Sequence, residues 1–357
     1  MRVLHVYPQL NNAGTERVIL NLYRHVDRSQ LQFDFLTQRP GELDEVVRAM
    51  GAEVHCLAKT QHYADDLLSF FSAHPEYRVI HAHTHAEMGM VLRQARRAGV
   101  PHRIVHSHNS RSDLPGIMKC YKLLSSWSLE QHANHFVACS TEAAAWLFPR
   151  RHRAAQIWRN GIDLQHFQFD PQKRRAVRSQ LGIPEAAKVV CHVGRMARQK
   201  NHRRILSLLN QLTRQDETVY GLLIGTGPLD AQLRSAAQSS HIQFLGSRTD
   251  VADLLCAADV FLFPSLHEGL GIAAVEAQAC GLPCIASTNV PDSADIGAGL
   301  FTRLPLSAPD QAWLGQIERS FQQGMATRAA RSRLALSSAY QIETVAAAAQ
   351  RFYLSLE

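Results

Sequence analysis

Short runs of apolar and β-branched residues alternate with longer stretches whose apolar positions recur every three or four residues. In the first half, the runs that read as strands are Val3–Tyr7, Phe33–Leu36, Glu53–Leu57, Val79–His83, Arg103–His106 and His135–Cys139. Helical patterns such as Glu16–His25 and Glu87–Ala98 fall between them. The rhythm then restarts with Lys188–Val193, Val219–Ile224, Ile242–Phe244, Val260–Phe263 and Pro283–Ala286 as strands. Helices over Leu229–Ser239, Val251–Ala257 and Ile272–Ala279 lie among these. Strands that alternate with helices predict parallel sheets covered on both faces. Because the rhythm begins twice, the expected class is α/β with two doubly wound domains. The join lies near Asn160–Pro184, where Asn160-Gly161, Asp170-Pro171 and Gly182-Ile183-Pro184 are turn signals. A last helix covers about Gln341–Leu354.

Composition fits that picture. A length of 357 residues suits two domains, and 46% hydrophobic with 19% charged residues is ordinary for a globular chain. The net charge of +7 is mild and spread out. Local basic clusters at Arg150, Arg151, Arg153 and at Lys173, Arg174, Arg175, Arg178 read as solvated helix faces. A basic surface also suits an anionic partner such as a nucleoside diphosphate, a lipid phosphate or a membrane face. No aromatic-interleaved basic stripe and no zinc-finger spacing is present, so nucleic acid is not an expected partner. The seven cysteines are scattered, several inside apolar runs, and read as buried thiols of a reducing compartment. The N-terminus turns polar after Tyr7, and no run of about 20 apolar residues occurs, so a cytoplasmic location is expected.

Candidate chemistry sits in loops that follow strands. Asn11-Asn12-Ala13-Gly14-Thr15-Glu16 follows the first strand of the first half and leads into a helix. Gly194-Arg195-Met196-Ala197-Arg198-Gln199-Lys200-Asn201 follows the first strand of the second half. In doubly wound folds ligands bind at the carboxyl ends of strands, where backbone N–H groups of a helix start can hold an anion. Arg195 and Lys200 add two fixed cations around one turn. They can stabilise negative charge developing on a leaving diphosphate without proton transfer. Gly225-Thr226-Gly227-Pro228 forms a third glycine loop.

The strongest constellation is Phe263-Pro264-Ser265-Leu266-His267-Glu268-Gly269-Leu270-Gly271-Ile272, which runs on through Glu276. Gly269 and Gly271 let backbone approach a ligand. Ile272 begins a helix, so Glu268 sits in a loop and Glu276 more than one turn into the helix. Carboxylates there can accept hydrogen bonds from sugar or ribose hydroxyls. The N–H groups of Gly269, Leu270, Gly271 and Ile272 can bind phosphate.

With these residues in view, the chain resembles the family 4 retaining glycosyltransferases of the GT-B fold, in particular members that build exopolysaccharide or capsule. The match runs nearly end to end. It rests on Glu268 to Glu276, Gly194-Arg195 to Lys200-Asn201, Asn160-Gly161-Ile162-Asp163 and Gly14-Thr15-Glu16. Val105-His106-Ser107-His108-Asn109-Ser110 and Tyr340-Gln341-Ile342-Glu343 also carry it. The resemblance implies two facing Rossmann-like domains, 1–165 on the acceptor side and 166–339 on the donor side, with 340–357 crossing back to the first. It implies that Arg195 and Lys200 hold the donor diphosphate and that Glu276 binds the ribose. Glu268 would contact sugar hydroxyls, and His108 the transferred sugar. Gly14 would let the first loop approach phosphates and acceptor. Gly194, Gly225, Gly227, Gly269, Leu270, Gly271 and Ile272 complete the implied donor site. Ala13 departs from the family, which usually has a second glycine there; a methyl group would narrow that loop.

The implied reaction moves a sugar, with retained configuration, from a UDP-sugar to a hydroxyl of a glycan or polyprenyl-linked glycan. No general base is evident, and the leaving phosphate oxygen would take the acceptor proton. Three other readings stand beside this one: a GT-B nucleotide-sugar epimerase or glycogen-type phosphorylase, a nicotinamide oxidoreductase, and a non-catalytic partner subunit. The oxidoreductase needs a G-x-G-x-x-G turn that neither half shows after its first strand. Gly116–His132 mixes apolar, aromatic and Lys residues. It fits a cleft-lining helix, or a helix in peripheral contact with the inner face of the cytoplasmic membrane.

The chain has 19 histidines. His81, His83 and His85 alternate and would share one face of a strand, a pattern that can bind zinc. Related enzymes carry His there without metal. No Asp-x-Asp pair occurs to hold a divalent cation on the diphosphate, and Arg195 and Lys200 can supply the charge, so no metal and no cofactor beyond the donor is expected. His106 is expected to be a hydrogen-bonded structural residue.

Overall fold

The computed structural model describes residues 1–11, 14–83, 88–108, 125–324 and 327–357. The chain divides into two compact units: Met1–Ile162 with Ile342–Glu357, and Asp163–Gln341.

The first unit holds a parallel sheet of seven strands: β1 (Arg2–Val6), β2 (Gln32–Thr37), β3 (Val54–Cys56), β4 (Val79–Ala82), β5 (His102–Ser107), β6 (His135–Ala138) and β7 (Gln156–Ile157). Their order is β3-β2-β1-β4-β5-β6-β7. The second unit holds six: β8 (Lys188–Val193), β9 (Val219–Ile224), β10 (Ile242–Gly246), β11 (Val260–Phe263), β12 (Cys284–Ser287) and β13 (Phe301–Leu304). Their order is β10-β9-β8-β11-β12-β13. Both sheets reverse direction of winding once, between β1 and β4 and between β8 and β11. That reversal leaves a crevice at the carboxyl ends of the two central strands, and those are the strands that carry the sequence motifs.

The central strands are apolar on both faces because helices cover both. Val260, Phe261, Leu262 and Phe263 of β11 are all fully buried. The helix His202–Gln215 buries Ile205, Leu206, Leu208, Leu209 and Leu212 against one face of the second sheet. The helix Ile272–Ala279 buries Ala273, Ala274 and Ala277 against the other. The closing helix Ile342–Leu354 belongs to the first unit, where Ala346, Ala349 and Tyr353 join the core of β1 and β2. Gly161 permits its approach, since a Cβ there would lie 2.7 Å from the Ile342 side chain.

Buried arginines correct one expectation. Arg174 and Arg178 were expected on a solvated face, yet they are only 4% and 1% exposed. The helix Val251–Ala257 ends in the interior, and its last carbonyls have no partners within the helix. Arg174 Nη1 donates to the Ala257 and Ala258 carbonyls at 3.2 and 3.1 Å, and Arg178 Nε to that of Ala257 at 2.9 Å. Arg328 Nη2 donates to the Leu255 carbonyl at 2.7 Å. Cations suit the negative end of a helix. Asp259 neutralises two of the three, at 2.9 Å from Arg174 and 2.8 Å from Arg178. It also accepts from the Val189 N–H, which fixes the start of β8 beside that of β11.

Removing that carboxylate leaves the buried Arg178 guanidinium without an ion-pair partner and Arg174 with only Glu185, at 3.1 Å. Asp259→Ala is expected to cost about 3 kcal/mol or more. Urea unfolding followed by far-ultraviolet circular dichroism measures it, and an unchanged midpoint would contradict this account.

Candidate active site

In the second unit, the loops after β8 and β11 lie side by side at the carboxyl ends of the central strands. Three hydrogen bonds stitch them. The Leu266 N–H donates to the Gln199 carbonyl at 2.8 Å, Gln199 Nε2 to the His267 carbonyl at 3.0 Å, and Asn201 Nδ2 to the Pro264 carbonyl at 3.1 Å. Asn201 takes a left-handed conformation with φ 56°, which turns the chain sharply from the loop into the helix His202–Gln215.

The two loops also exchange charge. Lys200 Nζ donates to Glu268 Oε1 at 2.7 Å and lies 5.0 Å from the Phe263 ring centroid. Glu268 is 5% exposed. A carboxylate this buried needs a partner, and Lys200 supplies one. The helix Ile272–Ala279 takes Gly271 as its N-cap, in a left-handed conformation with φ +89°. In its first turn the Ala274 N–H donates to the Gly271 carbonyl at 2.9 Å, which leaves those of Ile272 and Ala273 as the candidates for an external acceptor.

Glycine is required here by space. Gly225 has φ +130°, and a Cβ on it would lie 2.2 Å from the Gly194 carbonyl oxygen. Only glycine lets the loops after β8 and β9 pass so closely. The same pair of loops joins through Met196 N–H to the Thr226 carbonyl at 2.9 Å, beside Gly227. Arg195 projects from this loop as an exposed side chain that makes no hydrogen bond or ion pair among the described residues. Gly194, Arg195, Lys200, Gly225, Gly227, Glu268, Gly269, Leu270 and Gly271 thus fall in the connections after the strands at one end of one sheet, with Ile272 beginning the helix that follows. Glu276 is half-buried in the second turn of its helix.

In the first unit, Gly14 is the first residue of the helix Gly14–His25, and a Cβ there would meet nothing within 4 Å. Its neighbour Ala13 lies outside the described residues, as do His85, Asn109, Ser110 and the stretch 116–124. His108 is buried just beyond β5, with Nε2 3.0 Å from His83 Nδ1.

His81 and His83 do share a face, but their companions come from other strands. β1 contributes His5, in register with His81, and β5 leads to His106 and His108. All five imidazoles are buried. His5 Nδ1 meets His83 Nε2 at 2.8 Å, and His81 Nδ1 shares a hydrogen bond with the Tyr353 hydroxyl at 2.5 Å. His106 departs from expectation: neither of its ring nitrogens has a hydrogen-bond partner among the described residues. It is held by ring contact instead, 4.0 Å from the His108 centroid and 6.0 Å from that of Trp158.

Burial keeps His5, His81, His83 and His106 neutral. It pushes His5 down to about 3, and His81, His83 and His106 well below the usual imidazole range. In the second unit burial likewise lowers His192, and brings His202 to about 4. An unfolded imidazole titrates near pH 6.5. Above that pH neither state takes up the proton and stability is complete. Below it the unfolded chain binds protons that the folded chain does not, so stability falls as pH drops from about 6.5 toward 4. Each fully shifted ring contributes about 1.4 kcal/mol per pH unit in that window. The urea midpoint should therefore be clearly lower at pH 5.5 than at pH 7.5, with a shallower dependence in His5→Phe. Equal midpoints at the two pH values would contradict the neutral assignment.

Comparison with known proteins adds to this geometry. Residues 12–166 match the family model described as Glycosyltransferase Family 4, and residues 187–308 match that described as Glycosyl transferases group 1. The chain is 33% identical over 343 residues to the putative glycosyltransferase EpsF of Bacillus subtilis, covering 92% of this chain and 89% of that protein. It is 27% identical over 318 residues to the Escherichia coli UDP-Gal:alpha-D-GlcNAc-diphosphoundecaprenol alpha-1,3-galactosyltransferase, covering 80% of this chain and 79% of that one. The crystal structure of Anabaena HepE in complex with UDP is similar in fold, with a TM-score of 0.84 at 17% identity, covering 99% of this chain and 100% of that one.

Proposed function

The chain belongs to the family 4 glycosyltransferases, and from that premise we propose that it moves a sugar from a UDP-sugar to a hydroxyl of a lipid-linked glycan, with retained configuration, in surface polysaccharide assembly. The observation that carries the proposal is the stitched pair of loops in the second unit. They bring Lys200, Glu268, the exposed Arg195 and the start of a helix to one end of the sheet.

In this reading Lys200 and Arg195 hold the donor diphosphate together with the N–H groups that begin the helix Ile272–Ala279. Negative charge grows on the diphosphate as the glycosidic bond breaks. Fixed cations and backbone dipoles meet it there without reorganising, which stabilises the transition state more than the bound donor. Lys200 leaves Glu268 for the diphosphate when donor arrives, and Glu268 then accepts from sugar hydroxyls. Glu276 accepts from the ribose, and His108 contacts the transferred sugar. The two side-chain cations take the place of a divalent ion. The uridine base is supported by the UDP named in the HepE complex and in the E. coli relative's name, as is the diphosphate-polyprenol acceptor by that same name.

A panel of nucleotide sugars, with GDP-mannose beside UDP-sugars, tests the donor by thermal shift, since a bound donor raises the melting temperature by mass action. Lys200→Ala and Arg195→Ala should each lower kcat/KM on the order of a hundredfold or more, a loss of about 3 kcal/mol, with circular dichroism unchanged. Activity should persist in excess chelator. Donor supplied without acceptor should not be converted to its epimer. Full turnover in both variants would remove the diphosphate role.

A further inference from the structure

Cys191, Cys256, Cys280 and Cys284 are buried in one apolar cluster of the second unit. Two of them touch: the sulfurs of Cys256 and Cys280 lie 3.6 Å apart. Cys256 is on the helix Val251–Ala257, and Cys280 is the C-cap of the helix Ile272–Ala279. The contact therefore ties the far end of the candidate donor helix to a neighbouring helix.

A buried cation decides which sulfur carries charge. Arg328 is 3% exposed and, unlike Arg174 and Arg178, has no carboxylate in ion-pair range among the described residues. Its Nη2 donates to Cys280 Sγ at 3.3 Å, and its Nε to the Cys280 carbonyl at 3.0 Å. A guanidinium has donors only, so Cys280 Sγ is an acceptor here. A buried cation without a carboxylate is stabilised by an anion, and a thiolate is the anion that Cys280 can supply. Burial opposes that charge, but the Cys256 S–H and the Arg328 guanidinium outweigh it and bring the Cys280 thiol down to about 7. The Cys280 sulfur, together with burial, raises Cys256. The Cys256 S–H has a second acceptor in the Gln168 carbonyl at 3.8 Å, and its choice between the two does not change which sulfur is the thiolate. Burial raises Cys139, Cys191 and Cys284, so these stay protonated. A cleft lined by Gly281, Pro283, Arg328 and Arg331 opens beside the Arg328–Cys280 contact.

We propose that Cys256 and Cys280 are a modification site, which a peroxide converts to a disulfide, and that the closed bond slows transfer at the donor site. The second half rests on the functional reading above. The Cys280 thiolate attacks one peroxide oxygen, the O–O bond breaks, and hydroxide leaves to be protonated to water. Cys280 is then a sulfenic acid. The Cys256 sulfur attacks the Cys280 sulfur as its proton leaves, the S–O bond breaks, and the departing hydroxide takes up that proton as a second water. Two thiols lose two electrons, which the two peroxide oxygens gain. A covalent bond is shorter than the present contact by more than about an ångström, so closing it draws the end of the helix Ile272–Ala279 toward Val251–Ala257. That helix carries Glu276 and the candidate diphosphate N–H groups. A misplacement of roughly 1 Å at a binding group can cost on the order of a hundredfold in rate. In a reducing compartment such a pair rests as the dithiol and forms its disulfide transiently.

The test treats full-length protein with hydrogen peroxide at pH 7.5, blocks remaining thiols with N-ethylmaleimide in urea, and cuts the chain after glutamate. Cys256 then falls in residues 218–268 and Cys280 in residues 277–318. A bond between them links two peptides at a mass two hydrogens below their sum. The expected wild type shows that linked species, which dithiothreitol separates, with Cys139 and Cys191 still alkylated. Cys284 shares the second peptide, so the link should persist in Cys284→Ala and vanish in Cys280→Ala. In Cys256→Ala the oxidation should stop at the sulfenic acid, and dimedone should tag Cys280. Peroxide should slow sugar transfer by wild type roughly tenfold or more, reversibly with dithiothreitol, and leave the rate of Cys280→Ala unaffected. Circular dichroism controls for folding of the variants. Free thiols at 256 and 280 once the exposed Cys56 is fully oxidised would overturn the proposal. So would a link that forms only in urea, or a fully linked chain with an unchanged rate. A wild-type chain that transfers no sugar before peroxide is added would reject the functional reading and the second half with it, while the linked peptides would still decide the first.

Discussion

The ion pair between Lys200 and Glu268 is the contact on which the donor-side account depends. It joins the loop after β8 to the loop after β11 at the one place where the second sheet reverses its winding. A buried carboxylate and a half-buried ammonium are costly to hold apart and stable when paired. Three further hydrogen bonds keep the loops from separating when the pair opens. In the proposed reading the pair is an occupied anion site, with Lys200 held by a carboxylate until the donor diphosphate arrives.

The two sheets carry different side chains at equivalent positions. In the second unit the central strands end in glycine loops with cations and a helix start. In the first they end in buried imidazoles: His5 on β1, His81 and His83 on and after β4, and His106 and His108 on and after β5. Helices cover each sheet on both faces and exclude water from the strands. Stability is assigned to the other end, where Asp259 and three buried arginines close the interior end of a helix. Separating the two ends lets the ligand-facing loops carry strain, such as Asn201 at φ 56° and Gly225 at φ +130°, without loosening the core.

Much of this was legible in the sequence because doubly wound folds write their central strands as unbroken apolar runs. Lys188–Val193, Val219–Ile224 and Val260–Phe263 form strands at the positions their pattern predicts, as the helices Val251–Ala257 and Ile272–Ala279 do. Edge elements were not legible. β7 is two residues long, and β13, Phe-Thr-Arg-Leu, is half-exposed and lacks the apolar signature. Leu229–Ser239 shortened to Asp230–Ala236: Ala237 turns extended and packs on the core, and the Gln238 N–H donates to Asn210 Oδ1 at 3.0 Å instead of continuing the helix. The cluster of basic residues at 173–178 misled for a different reason: composition does not show that Arg174 and Arg178 face helix carbonyls brought there by the fold. The histidine row was half visible. Alternation placed His81 beside His83, but only the strand order β1-β4-β5 brings His5, His106 and His108 to them.

The most direct measurement is a crystal structure of the chain with a UDP-sugar bound. The account predicts diphosphate oxygens within hydrogen-bond reach of Lys200 Nζ, the Arg195 guanidinium and the first N–H groups of the helix Ile272–Ala279, with the Lys200–Glu268 contact opened. A diphosphate bound elsewhere, with that contact still closed, would contradict it.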